Sequence, residues 1–340
     1  MYMSVGLDIG SKSIKIVELS PEGGGFKLLG SGVLGYSGAT PDNFLEESDI
    51  LPLSDAIRKL HKEARISSKD ITISLPEPQV FTRLIKLPSL SDQEIASAVK
   101  WEAEQYIPIP LAEAVVQHQI LERRESGPVP EVLVLLVAAP RVLVEKYVKV
   151  VEGAGLNVVA VETEMIPLAR SLAPEGRVVL LVDFGARSTD IAVAKNAQVA
   201  FSRSIPTAGE AFSRAVSQVL SIPYQQAEEY KRVYGLSPSQ LEGKIRVAIE
   251  PVFRVVADEI KKAIHFYQSD EKGEAPSSVI LSGGTAGMPE AISSLTKILG
   301  VEVLMGNPFS KVTADAESLK SLIPYAPLYA IAVGLAQKGL

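Results

Sequence analysis

Val178-Val-Leu-Leu-Val-Asp183-Phe-Gly185-Ala-Arg187-Ser188-Thr189-Asp190-Ile191-Ala-Val-Ala194 is the stretch around which the chain is organised. An uninterrupted apolar run reads as a buried strand, a short polar turn follows, and a second strand with β-branched residues leads away. The tip of this hairpin sets the carboxylate of Asp183 beside a glycine whose backbone can approach a ligand. It adds the hydroxyls of Ser188 and Thr189 and free backbone N–H groups suited to an anion. On its own, Asp-x-Gly is an ordinary hairpin turn. Here it occurs twice. Val5-Gly-Leu-Asp8-Ile-Gly10-Ser11-Lys12-Ser13-Ile14-Lys15-Ile16-Val17-Glu18-Leu19 repeats Asp, Gly and Ser at the same offsets, about half a chain length away. Two related halves are expected, with their polar tips facing each other across a cleft.

Composition narrows the chemistry. A chain of 340 residues exceeds the size at which one core stops growing, so two or more domains are expected. With 46% hydrophobic and 22% charged residues it is a folding sequence with a large core. A net charge of -6 and the lack of any Lys/Arg cluster argue against nucleic acid as the main partner. The absence of cysteine excludes disulfides, thiolate metal sites and cysteine nucleophiles, and His61, His118 and His265 are too scattered to suggest zinc. Asp8 interrupts the N-terminus before a signal-peptide core can form, so the chain is expected to be mature and cytoplasmic. The longest pure apolar run, 132–139, falls well short of the roughly 20 residues that cross a bilayer, and no membrane span is expected.

In chain order, Gly23-Gly24-Gly25 reads as a turn into a strand over 26–33. Residues 42–50 read as a loop, 52–64 as a helix and 71–75 as a strand. An inserted module then begins with a strand over 80–87. Ser91-Asp-Gln-Glu94 is a capping box that opens a helix to about Tyr106, with Ile95, Ala98, Val99, Ala103 and Tyr106 on one face. Ile107-Pro108-Ile109-Pro110 stops it. Strands over 114–121 and 132–138 are joined by a polar loop containing Gly127, Pro128 and Pro130. A helix over 142–152 and a strand over 157–161 close the module. Strand, helix, strand, strand, helix, strand suits a compact α+β insert. Trp101 lies off the main apolar face of its helix and reads as a second packing contact rather than an exposed anchor.

After the Asp183 hairpin, Ala208-Gly209 leads into a helix with Phe212, Ala215, Val216 and Val219 on one side. A polar helix over 224–234 places Glu228 and Lys231 three apart on one face, where an exposed salt bridge is the plain reading. Residues 245–267 form a long periodic helix that Pro251 is expected to kink or start. Val279-Ile-Leu-Ser282-Gly283-Gly284-Thr285-Ala286-Gly287-Met288-Pro289 carries a strand into closely spaced glycines, with Pro289 at the first position of a helix over 290–299. Such a loop lets backbone lie against a flat ligand, and the helix N-terminus adds a positive field. Gly306-Asn-Pro-Phe309 is a turn, and the chain closes on an apolar helix over 328–337.

Two Asp-x-Gly-x-x-Ser turns can grip a polyphosphate from opposite sides through backbone and hydroxyl donors. Their carboxylates cannot touch phosphate directly, and Mg²⁺ resolves this, with Asp8 and Asp183 on the metal side through water. Lys12 would neutralise phosphate charge. The Gly283–Gly287 loop would receive the nucleoside, Glu228 accepting from the ribose hydroxyls with Lys231 beside it.

The order Asp8-Ile-Gly10, Asp183-Phe-Gly185, Ser282-Gly283-Gly284-Thr285 resembles the phosphate-1, phosphate-2 and adenosine motifs of the actin, Hsp70 and sugar-kinase ATPase superfamily, nearly end to end. The insert, and Ala227-Glu228-Glu229-Tyr-Lys231 before Tyr234-Gly235, resemble its FtsA-like branch. The finer similarity is to the PilM family of type IV pilus assembly. It runs through Leu75-Pro76, Thr82-Arg83, Leu87-Pro88, Trp101-Glu102-Ala103-Glu104-Gln105-Tyr106-Ile107-Pro108, Leu281-Ser282-Gly283-Gly284-Thr285-Ala286, Asn307-Pro308-Phe309 and 330–336. Paired glycines are common in that family where this chain has Ala208-Gly209, and an acidic residue is expected where it has Gln117.

This resemblance implies an α/β, actin-like ATPase fold, two related domains around a nucleotide cleft with an FtsA-type α+β insert. Residues 1–79 would form the first part of subdomain 1A, 80–162 the inserted subdomain 1C, and 163–176 and 325–340 connecting helices of 1A. Residues 177–223 and 277–324 would form subdomain 2A and 224–276 subdomain 2B. It further implies ATP or ADP with Mg²⁺, held by Asp8, Gly10, Ser11, Lys12 and Ser13, by Asp183, Gly185, Ala186, Arg187 and Ser188, and by Gly209, Glu228, Lys231, Gly283, Gly284, Thr285 and Gly287. Glu164 would position water in a slow hydrolysis, if any. The implied partner is the cytoplasmic N-terminal peptide of a PilN-like bitopic membrane protein, with pilus motor components and self-association as further contacts. The chain stops at Leu340 where FtsA proteins continue into an amphipathic tail, so it is expected at the inner membrane only through that partner. A small-molecule kinase of the same fold, with Glu162 or Glu164 as base, and an FtsA-like filament protein are the alternatives.

Overall fold

The computed structural model describes residues 3–125, 130–269 and 273–340. The first half of the chain builds β1 (Ser4–Ile9), β2 (Ser13–Glu22), β3 (Gly25–Gly35), α1 (Ile50–Glu63), β4 (Asp70–Leu75), β5 (Phe81–Pro88), α2 (Asp92–Tyr106), β6 (Ala114–Arg124), β7 (Glu131–Pro140), α3 (Arg141–Gly153) and β8 (Asn157–Thr163). The second half builds α4 (Met165–Leu172), β9 (Val178–Phe184), β10 (Thr189–Lys195), β11 (Gln198–Ile205), α5 (Gly209–Leu220), α6 (Tyr224–Tyr234), α7 (Lys244–Ser269), β12 (Val279–Ser282), α8 (Ala291–Leu299), β13 (Val303–Met305), β14 (Val312–Thr313), α9 (Ala316–Leu322) and α10 (Ala330–Ala336).

The strands form sheets of order β14-β3-β2-β1-β4-β8, β11-β10-β9-β12-β13 and β5-β7-β6. Apart from β14, the first two follow one plan: an antiparallel three-strand meander, then two strands added in parallel. The duplication anticipated from two short turns is a duplication of whole sheets.

The insert is smaller than its sequence pattern suggests. β8, read as its closing strand, pairs in parallel with β4 in the first sheet. α3 packs with α1 in that sheet's core. The alternation of a strand identifies its buried face, not its partner, so the two assignments are alike in local sequence. What remains of the insert is β5, β6, β7 and α2. The capping box of α2 forms as expected: Ser91 Oγ accepts from the Glu94 N–H, and the Glu94 carboxylate accepts from the Ser91 N–H at 2.9 Å. Ile95, Val99 and Ala103 are buried against the sheet. Tyr106 is not; it is 43% exposed, and the Arg83 guanidinium lies 3.7 Å over its ring. Trp101, expected to pack, is 63% exposed, and among the described residues no element covers that side of α2. Gly127 and Pro128 lie outside the described residues.

In the second half, Phe184 directly follows Asp183 and is fully buried. Its ring meets Phe212 of α5 edge-on at 5.6 Å and Phe253 of α7 at 6.2 Å. Burying such a ring stabilises by about 2–3 kcal/mol and fixes the strand end that carries the aspartate. Val219 is exposed rather than on the buried face of α5. α7 begins at Lys244 and continues through Pro251. α8 begins at Ala291, so Pro289 is not its first residue; the Pro289 carbonyl instead accepts from the Leu236 N–H at 3.0 Å.

Among the described residues, 316–336 is the one helical stretch long and apolar enough by composition to cross a membrane, which a search for unbroken apolar runs passes over. It is divided into α9, a 3₁₀ segment Ile323–Tyr329 with Pro324 and Pro327, and α10. Every residue of α10 is buried. The helix comes so close to its neighbours that a Cβ on Gly334 would stand 1.9 Å from the Pro167 carbonyl of α4, and one on Gly6 of β1 would stand 2.1 Å from the Ala332 carbonyl.

Candidate functional site

The two Asp-x-Gly turns are built alike. Gly10 N–H donates to the Ser13 carbonyl at 3.1 Å, and Gly185 N–H donates to the Ser188 carbonyl at 3.1 Å. Their tips face one another across a single cavity. Asp8, Gly10, Ser11, Lys12 and Ser13 line one side, and Asp183, Gly185, Ala186, Arg187 and Ser188 the other, with Gly283, Gly284 and Glu164 completing the wall. Two ion pairs bridge the opening: Lys12 Nζ to Glu210 of α5 at 2.9 Å, and Arg187 to Asp42 at 4.0 Å.

Negative charge is concentrated in this cleft. Asp8 is buried and its Oδ2 is met by the ammonium of buried Lys15 at 2.9 Å. Asp183 accepts from Ser282 Oγ at 3.0 Å, yet burial and the charge of Asp8 push its pKa up to about 6. Asp190 accepts from Ser188 Oγ at 2.7 Å and is raised to about 7 by burial, with the charges of Asp183 and Glu77 adding to the rise. Glu164 is held well above the usual carboxylate range by burial and by Asp190, Asp8 and Asp183. Asp183, Asp190 and Glu164 crowd one cleft in which Lys15 is the buried cation, and a further cation would favour their charged forms.

An adjoining cavity of about 540 Å³ shares Lys12, Ala186, Gly283 and Gly284 with the cleft and is further lined by Glu228, Lys231, Thr285 and Gly287. That volume suits a nucleoside-sized ligand. Gly283 sits at φ +87°, and a Cβ there would stand 2.5 Å from Asp183 Oδ1, so both conformation and space call for glycine. Thr285 Oγ1 donates to the Gly185 carbonyl at 2.7 Å, tying the glycine loop to the second turn. Glu228 and Lys231 are joined at 2.7 Å, but the pair is not a free surface bridge: Lys231 is 6% exposed and also donates to the Gly209 carbonyl at 3.1 Å. Burial raises Glu228, but hydrogen bonds from Lys231 and Ser213 outweigh it and hold it below the usual range. Burial lowers the Lys231 ammonium despite its partner.

Gly209 is the one predicted residue that lines neither cavity. It lies behind the wall, its N–H donating to the Gly185 carbonyl at 3.3 Å. Glu162 is bound by Arg170 at 2.8 Å and by Lys338 at 3.2 Å, as a structural ion pair. The sequence reading missed Lys15, Thr40, Asp42 and Tyr147, which also line the cleft. For Lys15 a signal existed, since it is a charged residue in a strand that is buried on both faces over 14–20.

Among the described residues no three Asp, Glu or His side chains converge to hold a metal alone. Asp8 and Asp183 fit Mg²⁺ that keeps its waters and takes its other ligands from phosphate. The acid-rich cleft has the charge deficit such an ion would fill.

Comparison with known proteins adds four findings. The family model for type IV pilus assembly protein PilM matches residues 6–340. A chain of the solved PilM-PilN type IV pilus biogenesis complex is 28% identical and superposes with a TM-score of 0.83, over 99% of this chain and 98% of that one. Cell division protein FtsA of Streptococcus pneumoniae serotype 2 (strain D39) is 24% identical over 343 residues, covering 89% of this chain and 75% of FtsA. MreB 5 of Spiroplasma citri, solved bound to AMPPNP, shares the fold at a TM-score of 0.55 and 11% identity, over 98% of this chain and 95% of that one.

Proposed function

On the premise that the chain belongs to the PilM family of type IV pilus assembly proteins, we propose that it is an ATP-binding scaffold that grips the N-terminal cytoplasmic peptide of a PilN-like membrane protein. The fold is that of the actin-like ATPases. The observation that carries the nucleotide half is the pair of matched turns facing across one cleft, with the glycine loop opening into the larger cavity. Backbone and hydroxyl donors of Gly10–Ser13 and Gly185–Ser188 hold the phosphates, Lys12 leaves Glu210 to neutralise them, and the glycine loop takes the base. Glu228 accepts from ribose, steadied by Lys231. Mg²⁺ bound through Asp8 and Asp183 supplies charge neutralisation. Glu164 lines the cleft beside both turns, where it would position water in a slow hydrolysis, if any.

The peptide half rests on a third cavity, of about 260 Å³, between the insert and β11. Thr82, Arg83, Tyr106 and Ile107 line it, and these belong to the stretches that carry the family resemblance. Phe81, Leu135, Phe201 and Phe266 supply apolar walls. β5 is an edge strand of its sheet, available to an extended peptide that adds main-chain hydrogen bonds. We assign residues 81–140 to this peptide-binding insert. Attachment to the inner membrane follows through the partner.

Calorimetry tests both halves. Mg-ATP is expected to give binding heat that Asp8→Ala with Asp183→Ala abolishes. A peptide copied from the start of the cognate PilN-like protein is expected to bind with wild-type insert and not with Phe81→Ser. No heat with Mg-ATP would end the nucleotide reading. A small-molecule kinase with Glu162 as its base is disfavoured because Glu162 is held by Arg170 and Lys338.

A further inference from the structure

We propose that Glu77 couples the cleft to the cavity beside the insert, so that filling one site alters the other; this rests on the two-site reading above. Glu77 lies in the segment that leads from β4 into β5, and only 4% of it is exposed. Its main-chain N–H donates to Glu164 Oε2 at 3.0 Å, and Glu164 lines the cleft. Its side-chain Oε1 accepts from Ser202 Oγ, and Ser202, on β11, lines the insert cavity. One residue thus touches a wall of each site and ties the first half of the chain to the second.

Its surroundings are unusual. Among the described residues, buried side-chain oxygens of Ser74, Glu77, Thr82 and Thr163 lack a hydrogen-bond partner. Ser74 and Thr163 are on the neighbouring strands β4 and β8, and Thr82 is on β5. These elements meet at the seam between the first sheet, the insert and β11, where β11 packs against both β5 and the Glu77 segment. Buried polar groups are nearly always paired, so a seam with this many open groups holds unused hydrogen-bonding alternatives. Packed interfaces change between discrete arrangements rather than deforming smoothly. Closure of the cleft exchanges partners along the seam, and Glu77, bonded towards both sites, transmits the exchange to Ser202. By linkage, a peptide in the insert cavity acts back on nucleotide affinity by the same factor.

The test is hydrogen exchange on the full chain with and without Mg-ATP, alongside calorimetry. In the wild type, exchange at 81–84 and 106–107 is expected to change by about fivefold or more when Mg-ATP binds. Ser202→Ala and Glu77→Leu are expected to bind Mg-ATP within about twofold of wild type while the response at those residues falls below about twofold. Glu77→Gln, whose amide oxygen still accepts from Ser202, is expected to keep the response. Leucine fills the space of Glu77 without its charge, and Ser202→Ala carries the test if that variant does not fold. Binding of Mg-ATP with no response in wild type, or a full response in Ser202→Ala, overturns the coupling alone. Absence of Mg-ATP binding in wild type overturns the nucleotide reading and the coupling with it.

Discussion

The two Asp-x-Gly turns share their offsets and their closing hydrogen bond, yet differ in the residue that faces each aspartate across its hairpin. Asp8 faces Lys15, whereas Asp183 faces Asp190. In the first turn the protein meets the carboxylate's charge with its own ammonium. In the second, two acids sit side by side and are raised to about 6 and about 7, burial being the largest cause in each. Duplication kept the backbone and diversified the electrostatics. The first turn is neutral on its own, while the second suits a cation brought in with the ligand.

The largest effect should come from breaking the first turn. Lys15→Met leaves Asp8 buried without its cation and is expected to lower stability in urea by about 3–5 kcal/mol, most of it recovered by adding Asp8→Asn. A Lys15→Met protein as stable as wild type would show that the first turn is not self-neutralised.

Next in size is the pH dependence of the second turn. Asp183 and Asp190 are raised in the folded state, which therefore binds more protons than the unfolded chain between their ordinary value of 3.8 and about 7. Their contribution is most favourable below this window and is lost as pH rises through it. Denaturation at pH 5 and 7.5 should show wild type losing more stability on going up in pH than Asp190→Asn does. Equal losses would contradict the reading.

Asp183→Asn should then act oppositely on the two states: higher stability without ligand at pH 7.5, and Mg-ATP affinity lower by about tenfold, or about 1.4 kcal/mol. The smallest effect belongs to the rim. Glu210→Gln releases half-exposed Lys12 and should change stability by less than about 1 kcal/mol while tightening Mg-ATP by about twofold.

Much of this was legible in the sequence because it is local. Asp8, Gly10 and Ser13, and their counterparts Asp183, Gly185 and Ser188, carry their geometry in a few consecutive residues. Gly283 advertises a backbone that tolerates no side chain. What escaped was non-local. β8 reads equally well as an insert strand or as the neighbour of β4, because its alternation records burial and not partner. Trp101 was read as packed because its helix alone cannot show that nothing covers it. Thr40, Asp42 and Tyr147 reach the cleft from segments with no motif of their own. Lys15 could have been found: a charge inside a strand covered on both faces must have a buried partner, and Asp8 on the adjoining strand was the nearest acid.

The contact of α10 with β1 has a consequence for how the protein is made. β1 leaves the ribosome long before α10, but the backbone that lies against Gly6 belongs to Ala332 and Ala336. At about 5–20 residues per second, roughly half a minute of translation separates the two. Throughout that interval one apolar face of the first sheet waits without its cover, a nascent-chain surface of the kind chaperones hold. The Asp8 turn is therefore synthesised first and reaches its final packing only after the Asp183 turn already exists.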